Sequence, residues 1–186
     1  MRTLSLTQPW ASLIAFGAKT IETRSWATDY RGLIAIHATV SFPRYAQEFA
    51  SGPVAGPVLA AHGYYRSRLP LPYECGEGPR YVEQICLPHR AVVAVADLFA
   101  CQKTCELEDR RAGLILGYTL DTTVITPVPA DQLPFGDFTP GRYAWRLANI
   151  RRLVHPITVN GAQRLWDWNV DLEELGEMLE APCPTR

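Results

Sequence analysis

Three ionisable side chains of opposite charge lie close together near the start of the chain: Lys19, Glu22 and Arg24. A lysine and an arginine can bind a phosphate or a base carbonyl, and a glutamate can accept a hydrogen bond from an exocyclic amine. Lys19 and Glu22 could also act as a general acid/base pair. The alternative is a salt-bridged strand edge in solvent, since exposed ion pairs are common and contribute little stability. The residue types alone leave both roles open.

The elements that must position these charges can be predicted from their flanks. The segment LTQPWASLIAFGAK predicts a short helix, with Thr7 as its N-terminal cap and Gly17 ending it in the left-handed conformation. The following TIETRS alternates like a strand, which places Glu22 and Arg24 on the same face. Lys19 lies between the helix and the strand, and its direction is undetermined.

Most of the remaining chain is strand-like. The predicted strands, each bounded by Gly, Pro or Asn, are TLSL, GLIAIHA, AVVAVADLF, TTVITPV, GRYAWRLANI and RLVHPITV. Several strands with few helices favour a closed or nearly closed barrel. FPRYAQEFAS predicts a short helix and AQRLWDW a helical turn. DLEELGEMLE predicts an acidic amphipathic helix that packs on the barrel through Leu172, Leu175 and Leu179.

The chain of 186 residues has the size of one domain. Residues 51–90 are dense in Pro, Gly and Tyr and show no persistent period, which predicts an insertion or long loop. Such a segment could cover a cleft or form a partner surface. We therefore expect a single domain over residues 1–186 with an insertion at 51–90.

Composition excludes several classes of protein. No apolar run approaches the roughly 20 residues that span a bilayer, so we expect no membrane association. MRTLSLTQPW has a polar break where a signal peptide is apolar, and we expect a cytoplasmic protein. Five cysteines without a CxxC pair and four scattered histidines favour neither a disulfide framework nor a zinc site. We expect no metal and no cofactor.

The net charge of the chain limits the kind of nucleic acid that it could bind. The formal charge is -1 and the pI is about 6.4, whereas proteins that hold a long phosphate backbone usually carry a basic surplus. Basic residues do cluster locally, as in Arg151 and Arg152. The balance favours a nucleotide-sized or single-stranded ligand over a long duplex.

The run from Gly17 to Arg24 fits the pattern GxKxxExR and in this resembles the ASCH family (activating-signal-cointegrator homology), whose fold is similar to the PUA domain. Further segments that resemble this family are LSLTQPWASLI, WATDYRGLIAIHA, VVAVADLFAC, GRYAWRLANIRRL and GAQRLWDWN, within residues 1–40 and 89–168. The resemblance implies an α+β fold: a PUA-like β-barrel with a helix at its mouth, a loop-rich insertion and a C-terminal helix.

The resemblance also implies a cleft beside the helix that accepts a nucleic acid or a nucleoside. The candidate ligand-binding residues are Gln8, Trp10, Lys19, Glu22, Arg24 and Arg31. Gln8 could read hydrogen bonds at the start of the helix. Trp10 could stack on a base, although core packing is the commoner role of such a tryptophan. Arg31 could reach the mouth of the cleft or remain a solvated turn residue.

Three functions are compatible with these residues. The first is binding of single-stranded RNA, or of a nucleotide or modified nucleoside, and this is the function we expect. The second is a hydrolase, a nucleoside amidohydrolase or a ribonuclease, with Lys19 and Glu22 as catalytic residues. ASCH-like amidohydrolases use a lysine-activated threonine on acylated cytidine, but the threonine position is Glu22 here, and the expected acid near Glu106, Glu108 and Asp109 cannot be assigned. The third is a protein-interaction adaptor that uses residues 51–90.

Overall fold

A computed structural model of the protein describes residues 1–64, 66–70, 81–108, 115–121 and 124–179. The middle of the predicted insertion, residues 71–80, lies outside the described residues, as does Asp109. The side chains of Glu106 and Glu108 are likewise not described.

Ten strands and four α-helices make up the described part of the chain. In chain order they are β1 (Arg2–Leu6), α1 (Trp10–Ala15), β2 (Ile21–Arg24), β3 (Gly32–Ala38), α2 (Arg44–Ser51), α3 (Ala55–Ala61), β4 (Arg66–Pro70), β5 (Tyr81–Ile85), β6 (Ala91–Glu108), β7 (Ile115–Asp121), β8 (Val124–Pro127), a 3-10 helix (Leu133–Phe135), β9 (Tyr143–Thr158), β10 (Leu165–Asp167) and α4 (Leu172–Glu177).

The main sheet is built around the long strand β6. One edge of β6 pairs with β3 over its first half and with β7 over its second half, and the other edge pairs with β9. From β3 the sheet continues to β1, in parallel, and then to β10, while β9 carries β2 and β7 carries β8. No pairing joins β2 to β10 among the described strands, so the sheet is not closed. The predicted α+β class is confirmed, as a barrel-like sheet that stays open.

Both faces of the central strands are covered. Ile34 and Ile36 of β3 lie in a core with Ile14 of α1 and with Trp145. On the opposite face, Ala35 lies in a second core with Val92, Val95, Trp168 and Leu175. Strands buried on both faces read as nearly continuous apolar runs, which is the pattern of GLIAIHA and AVVAVADLF.

A third core holds the helices together. Leu13 of α1 packs with Ala50 of α2, Leu59 of α3 and Phe135 of the 3-10 helix, and all four are buried. This core fixes α2 beside α1 and places the 3-10 helix next to both. The described helices include none long and apolar enough to cross a membrane.

Two local predictions are confirmed and a third is wrong. Gly17 has a φ of 72° and follows α1, with its amide donating to the carbonyl of Ile14. The predicted helix in FPRYAQEFAS is α2. Thr7 does not cap α1, which begins at Trp10 without a side-chain cap; instead the Gln8 amide oxygen accepts from the backbone N–H of Ser12.

Within residues 51–90, predicted to be an insertion or long loop, the structure describes α3 and the antiparallel pair β4–β5, so the described part of this segment is not a loop throughout. Two other predictions are wrong. AQRLWDW contains a strand, β10, rather than a helical turn, because its backbone pairs with β1. Helix α4 buries Leu175 but leaves Leu172 61% exposed. It ends before Leu179, which pairs with Leu153, so the three leucines do not form one buried stripe.

Candidate functional site

A cleft of about 470 Å³ lies at the point where β2, α1, α2 and the segment after the 3-10 helix meet. This volume is ordinary for a site that binds a small molecule. The residues lining the cleft are Leu6, Thr7, Trp10, Glu22, Thr23, Arg24, Tyr45, Phe49, Pro134, Phe135, Gly136, Asp137 and Arg142. Two of the charged residues predicted from the motif, Glu22 and Arg24, therefore line the cleft.

A chain of charges runs along β2 beneath the cleft. The Lys19 Nζ lies 3.2 Å from Glu22 Oε2, and the Arg24 Nε lies 3.0 Å from Glu22 Oε1. Arg24 also donates from Nη2 to the carbonyl of Ser5 on β1, at 2.8 Å. The Glu22 carboxylate thus lies between two cations, and its side chain is only 10% exposed. The three charges form one paired unit.

Lys19 is fully buried and does not line the cleft. Its Nζ donates to the carbonyls of Ile21 and Phe135, at 2.7 and 2.8 Å, and its third acceptor is Glu22. An ammonium has three donors, so each has a partner. Burial lowers the pKa of Lys19 below its ordinary value, and the charge of Glu22 opposes that shift. This placement gives Lys19 a structural role, because it fixes β2 against the 3-10 helix.

A second ion pair lies beside β2 on the same wall of the cleft. Asp137 Oδ2 lies 3.4 Å from the Nε of Arg142. Asp137 Oδ1 accepts hydrogen bonds from the backbone N–H and the hydroxyl of Thr139, which lower the pKa of the Asp137 carboxyl. The backbone N–H of Asp137 donates to the Thr23 hydroxyl on β2. This hydrogen bond therefore holds the loop that carries Asp137 against β2.

Aromatic side chains form the wall on the helical side. The rings of Trp10 and Phe49 are stacked, with centroids 5.3 Å apart and planes 8° apart. Tyr45 lies one helical turn before Phe49, with its ring centroid 6.1 Å from that of Trp10, and it is 63% exposed. An exposed tyrosine beside a fixed tryptophan presents a ring face to which a base can be added by stacking.

Two predicted ligand contacts lie elsewhere. Gln8 is fully buried, and its side-chain amide donates to the carbonyl of Pro88 at 2.6 Å. Arg31 is exposed, but its guanidinium donates to the carbonyls of Thr28 and Tyr30 and does not line the cleft. Of the six predicted residues, the structure brings Trp10, Glu22 and Arg24 together on the cleft.

Sequence reasoning missed Tyr45, Phe49, Asp137 and Arg142. Tyr45 and Phe49 are four residues apart in a segment predicted to be helical, so their common face could have been recognised. No local pattern marks Asp137 and Arg142, which lie in a loop and just before β9 and meet β2 only through the fold.

His37 is a buried histidine outside the cleft. Its Nε2 donates to the carbonyl of Val159, and its Nδ1 lies 3.1 Å from the hydroxyl of Ser5. Burial lowers the pKa of His37. These contacts make His37 part of the structure that holds the segment after β9 against β1 and β3.

Comparison with known proteins identifies one family. The family model of the ASCH domain matches residues 4–126, which include α1, the GxKxxExR motif and α2. A stretch of 40 residues is 52% identical to activating signal cointegrator 1 of Homo sapiens, covering 22% of this chain and 7% of that protein. The matched stretch is therefore a small part of that relative's length. Asp137 and Arg142 lie beyond the family match.

Proposed function

The chain belongs to the ASCH domain family, and on this premise we propose that it binds single-stranded RNA, or a modified nucleoside of the kind found in RNA, in the cleft beneath α2. ASCH domains are associated with RNA binding. The observation that carries the proposal is that the cleft has one aromatic and one charged wall. Exposed Tyr45 lies beside Trp10 on one side, and two arginine–carboxylate pairs lie on the other.

Each wall suits one part of a nucleotide. Aromatic rings stack on the face of an unpaired base, which a duplex does not present. Arg24 and Arg142 are donors for a base carbonyl or a phosphate, while Glu22 and Asp137 are acceptors for an amine. The cleft volume of about 470 Å³ and the overall charge of -1 both favour a nucleoside-sized unit over a long duplex.

The residues of the motif have different roles in this proposal. Glu22 and Arg24 contact the ligand together with Trp10 and Tyr45. Lys19 acts through Glu22, because its own ammonium is buried and its three donors already have acceptors.

One observation favours the hydrolase alternative: burial lowers the pKa of Lys19, and perturbed ionisable groups next to a cleft are candidates for catalysis. Against it, Lys19 accepts a proton only as the neutral amine, whose two donors would leave one of its three acceptors, Ile21, Phe135 or Glu22, without a hydrogen bond from the lysine. Incubation of the full chain with acetylated cytidine and with single-stranded RNA tests this alternative. If the wild-type protein turns over neither, or if Glu22→Gln leaves turnover unchanged, the alternative is wrong.

Binding of labelled single-stranded RNA, duplex RNA and free nucleosides, followed by fluorescence anisotropy, tests the main proposal. Tyr45→Ala removes an exposed ring, so the fold should be retained while affinity for single-stranded RNA falls by about fivefold to a hundredfold, the range for one stacked base. Phe99→Ala is the matched control, because Phe99 is a 56% exposed aromatic residue on β6 that does not line the cleft. Unchanged affinity in both Tyr45→Ala and Arg24→Gln would remove the cleft as the binding site.

A further inference from the structure

We propose that Trp26 and Arg164 form a second subsite beside the cleft, which binds the nucleotide adjacent to the one in the cleft. This inference rests on the proposed function and narrows it: the ligand is a single-stranded oligonucleotide rather than a free nucleoside. Neither residue lines the cleft, and Arg164 lies beyond the residues that the family model matches.

Two connections place the pair next to the cleft. Trp26 follows the cleft residue Arg24 by two positions, so their Cα atoms are at most about 7 Å apart. Arg24 donates to the carbonyl of Ser5, whose hydroxyl donates to the carbonyl of Ala162 at 2.9 Å. Ala162 lies two residues before Arg164. The cleft, the end of β2 and the segment carrying Arg164 are therefore contiguous.

The side chain of Trp26 is fixed by its contacts with Trp145. Its ring meets the ring of the buried Trp145 edge-on, with centroids 4.6 Å apart and planes 84° apart. Its carbonyl accepts a hydrogen bond from the Nε1 of Trp145. Trp26 is partly exposed, and the Arg164 guanidinium lies over its ring, 5.9 Å from the centroid. A planar guanidinium over an aromatic ring can stack with a base and still donate to a phosphate.

The backbone of Arg164 is an uncommon one for its residue type. Its φ is 60°, in the left-handed region that a side chain other than glycine adopts at an energetic cost. Trp166, two residues later, anchors the segment by donating from Nε1 to the hydroxyl of Ser5. In the part of the chain that the structure describes, no carboxylate pairs with Arg164. Residues in sparsely populated backbone conformations cluster at active sites and ligand clamps.

Arg164→Asn and Arg164→Lys separate the contributions of the guanidinium. Asparagine tolerates the left-handed conformation, so Arg164→Asn removes the charge and the planar guanidinium without new backbone strain. Arg164→Lys keeps the positive charge but replaces the planar guanidinium by an ammonium. Arg90→Asn is the matched control, because Arg90 is also exposed, also has a positive φ, 52°, and already donates to Asn160.

The probes are single-stranded RNAs of about six nucleotides and the four nucleoside monophosphates, titrated into the full chain. Arg164→Asn should weaken oligonucleotide binding about tenfold. It should also lower by about 0.7 the salt slope, which is the steepness with which the logarithm of the binding constant falls with the logarithm of the salt concentration. Its affinity for the monophosphates should stay within about twofold of wild type. Arg164→Lys should weaken oligonucleotide binding less and keep the slope. Arg90→Asn should change oligonucleotide affinity by less than about twofold.

Three results overturn the subsite. The first is an oligonucleotide affinity that is unchanged in Arg164→Asn. The second is a loss of oligonucleotide affinity in Arg90→Asn that equals the loss in Arg164→Asn. The third is that wild type binds monophosphates as tightly as oligonucleotides. If Tyr45→Ala still weakens binding in those cases, the cleft remains a binding site and only the subsite is wrong. If wild type binds none of these probes, the proposed function fails as well, and this is seen without any variant.

Discussion

Replacement of Lys19 by methionine tests whether the motif lysine is structural. Methionine nearly matches the length of the side chain but has no charge and no donor. In Lys19→Met, the carbonyls of Ile21 and Phe135 and one oxygen of Glu22 lose their donor in a place where the lysine is fully buried. We expect the variant to be less stable, because each of these buried acceptors loses a hydrogen bond.

The size of the effect follows from the contacts. Removing one partner of a buried ion pair costs about 3–5 kcal/mol, chiefly because the remaining charge is left uncompensated. Arg24 still pairs with Glu22, so its charge is partly neutralised, and the lower end, about 3 kcal/mol, applies. Domains of this size are stable by about 5–15 kcal/mol, so the loss is large but need not unfold the protein.

Urea unfolding followed by circular dichroism measures this loss of stability. A double-mutant cycle that combines Lys19→Met with Glu22→Gln measures the coupling energy between the two side chains. We expect a coupling energy of about 1–3 kcal/mol between Lys19 and Glu22, as for residues in one network. The control is Lys103→Met, because Lys103 is the chain's other lysine and is exposed on β6. It should change stability by less than about 0.5 kcal/mol. A loss below about 1 kcal/mol in Lys19→Met, or additive effects in the cycle, would refute the structural role.

Three further outcomes can be measured on the same protein. Amine acylation followed by mass spectrometry should label Lys103 in the native state and Lys19 only after unfolding; equal labelling would contradict the burial of Lys19. Burial lowers the pKa of His37, so the unfolded chain takes up a proton first and the free energy of unfolding should fall as the pH drops below about 6.5. His37→Gln should flatten that part of the curve in urea titrations, and an unchanged slope would contradict it. Gly161→Ala should destabilise more than Gly136→Ala, because the added Cβ would lie 2.2 Å from His37 in the first and no closer than 3.0 Å to any side chain in the second; the reverse order of melting temperatures would be inconsistent with this packing.

The local elements could be read from the sequence where side-chain period and turn residues agree. This holds for α2, for β3 and for the first half of β6, and Gly17 ends α1 as predicted. It fails for β10, whose three residues become a strand because β1 offers a free edge. It also fails at β9, because the sequence predicts two strands there and the structure has one. No local signal shows that β6 is long enough to pair with both halves of β9.

The cleft was predictable in part. Glu22 and Arg24 could be placed on one strand face from the period alone, and both line the cleft. The burial of Lys19 could not be predicted, because lysine is almost never fully buried and the acceptor that makes burial possible is the carbonyl of Phe135, far along the chain. The position of Arg142 beside β2 could not be predicted either, because the two are far apart in the sequence and only the fold brings them together.

The charges of the cleft bear on which ligand it can hold. Among the residues that line the cleft, Arg24 and Arg142 supply two positive charges, and Glu22 and Asp137 supply two negative ones. Lys19 pairs with Glu22 from below but is buried and does not line the cleft. Because the lining charges cancel, we expect affinity for one nucleotide in the cleft to come mainly from stacking on Tyr45 and to depend weakly on salt. A steeper salt dependence for an oligonucleotide requires a cation outside the cleft. Arg164 is placed to supply it, and the difference between the two salt slopes therefore measures how far beyond the cleft the strand is bound.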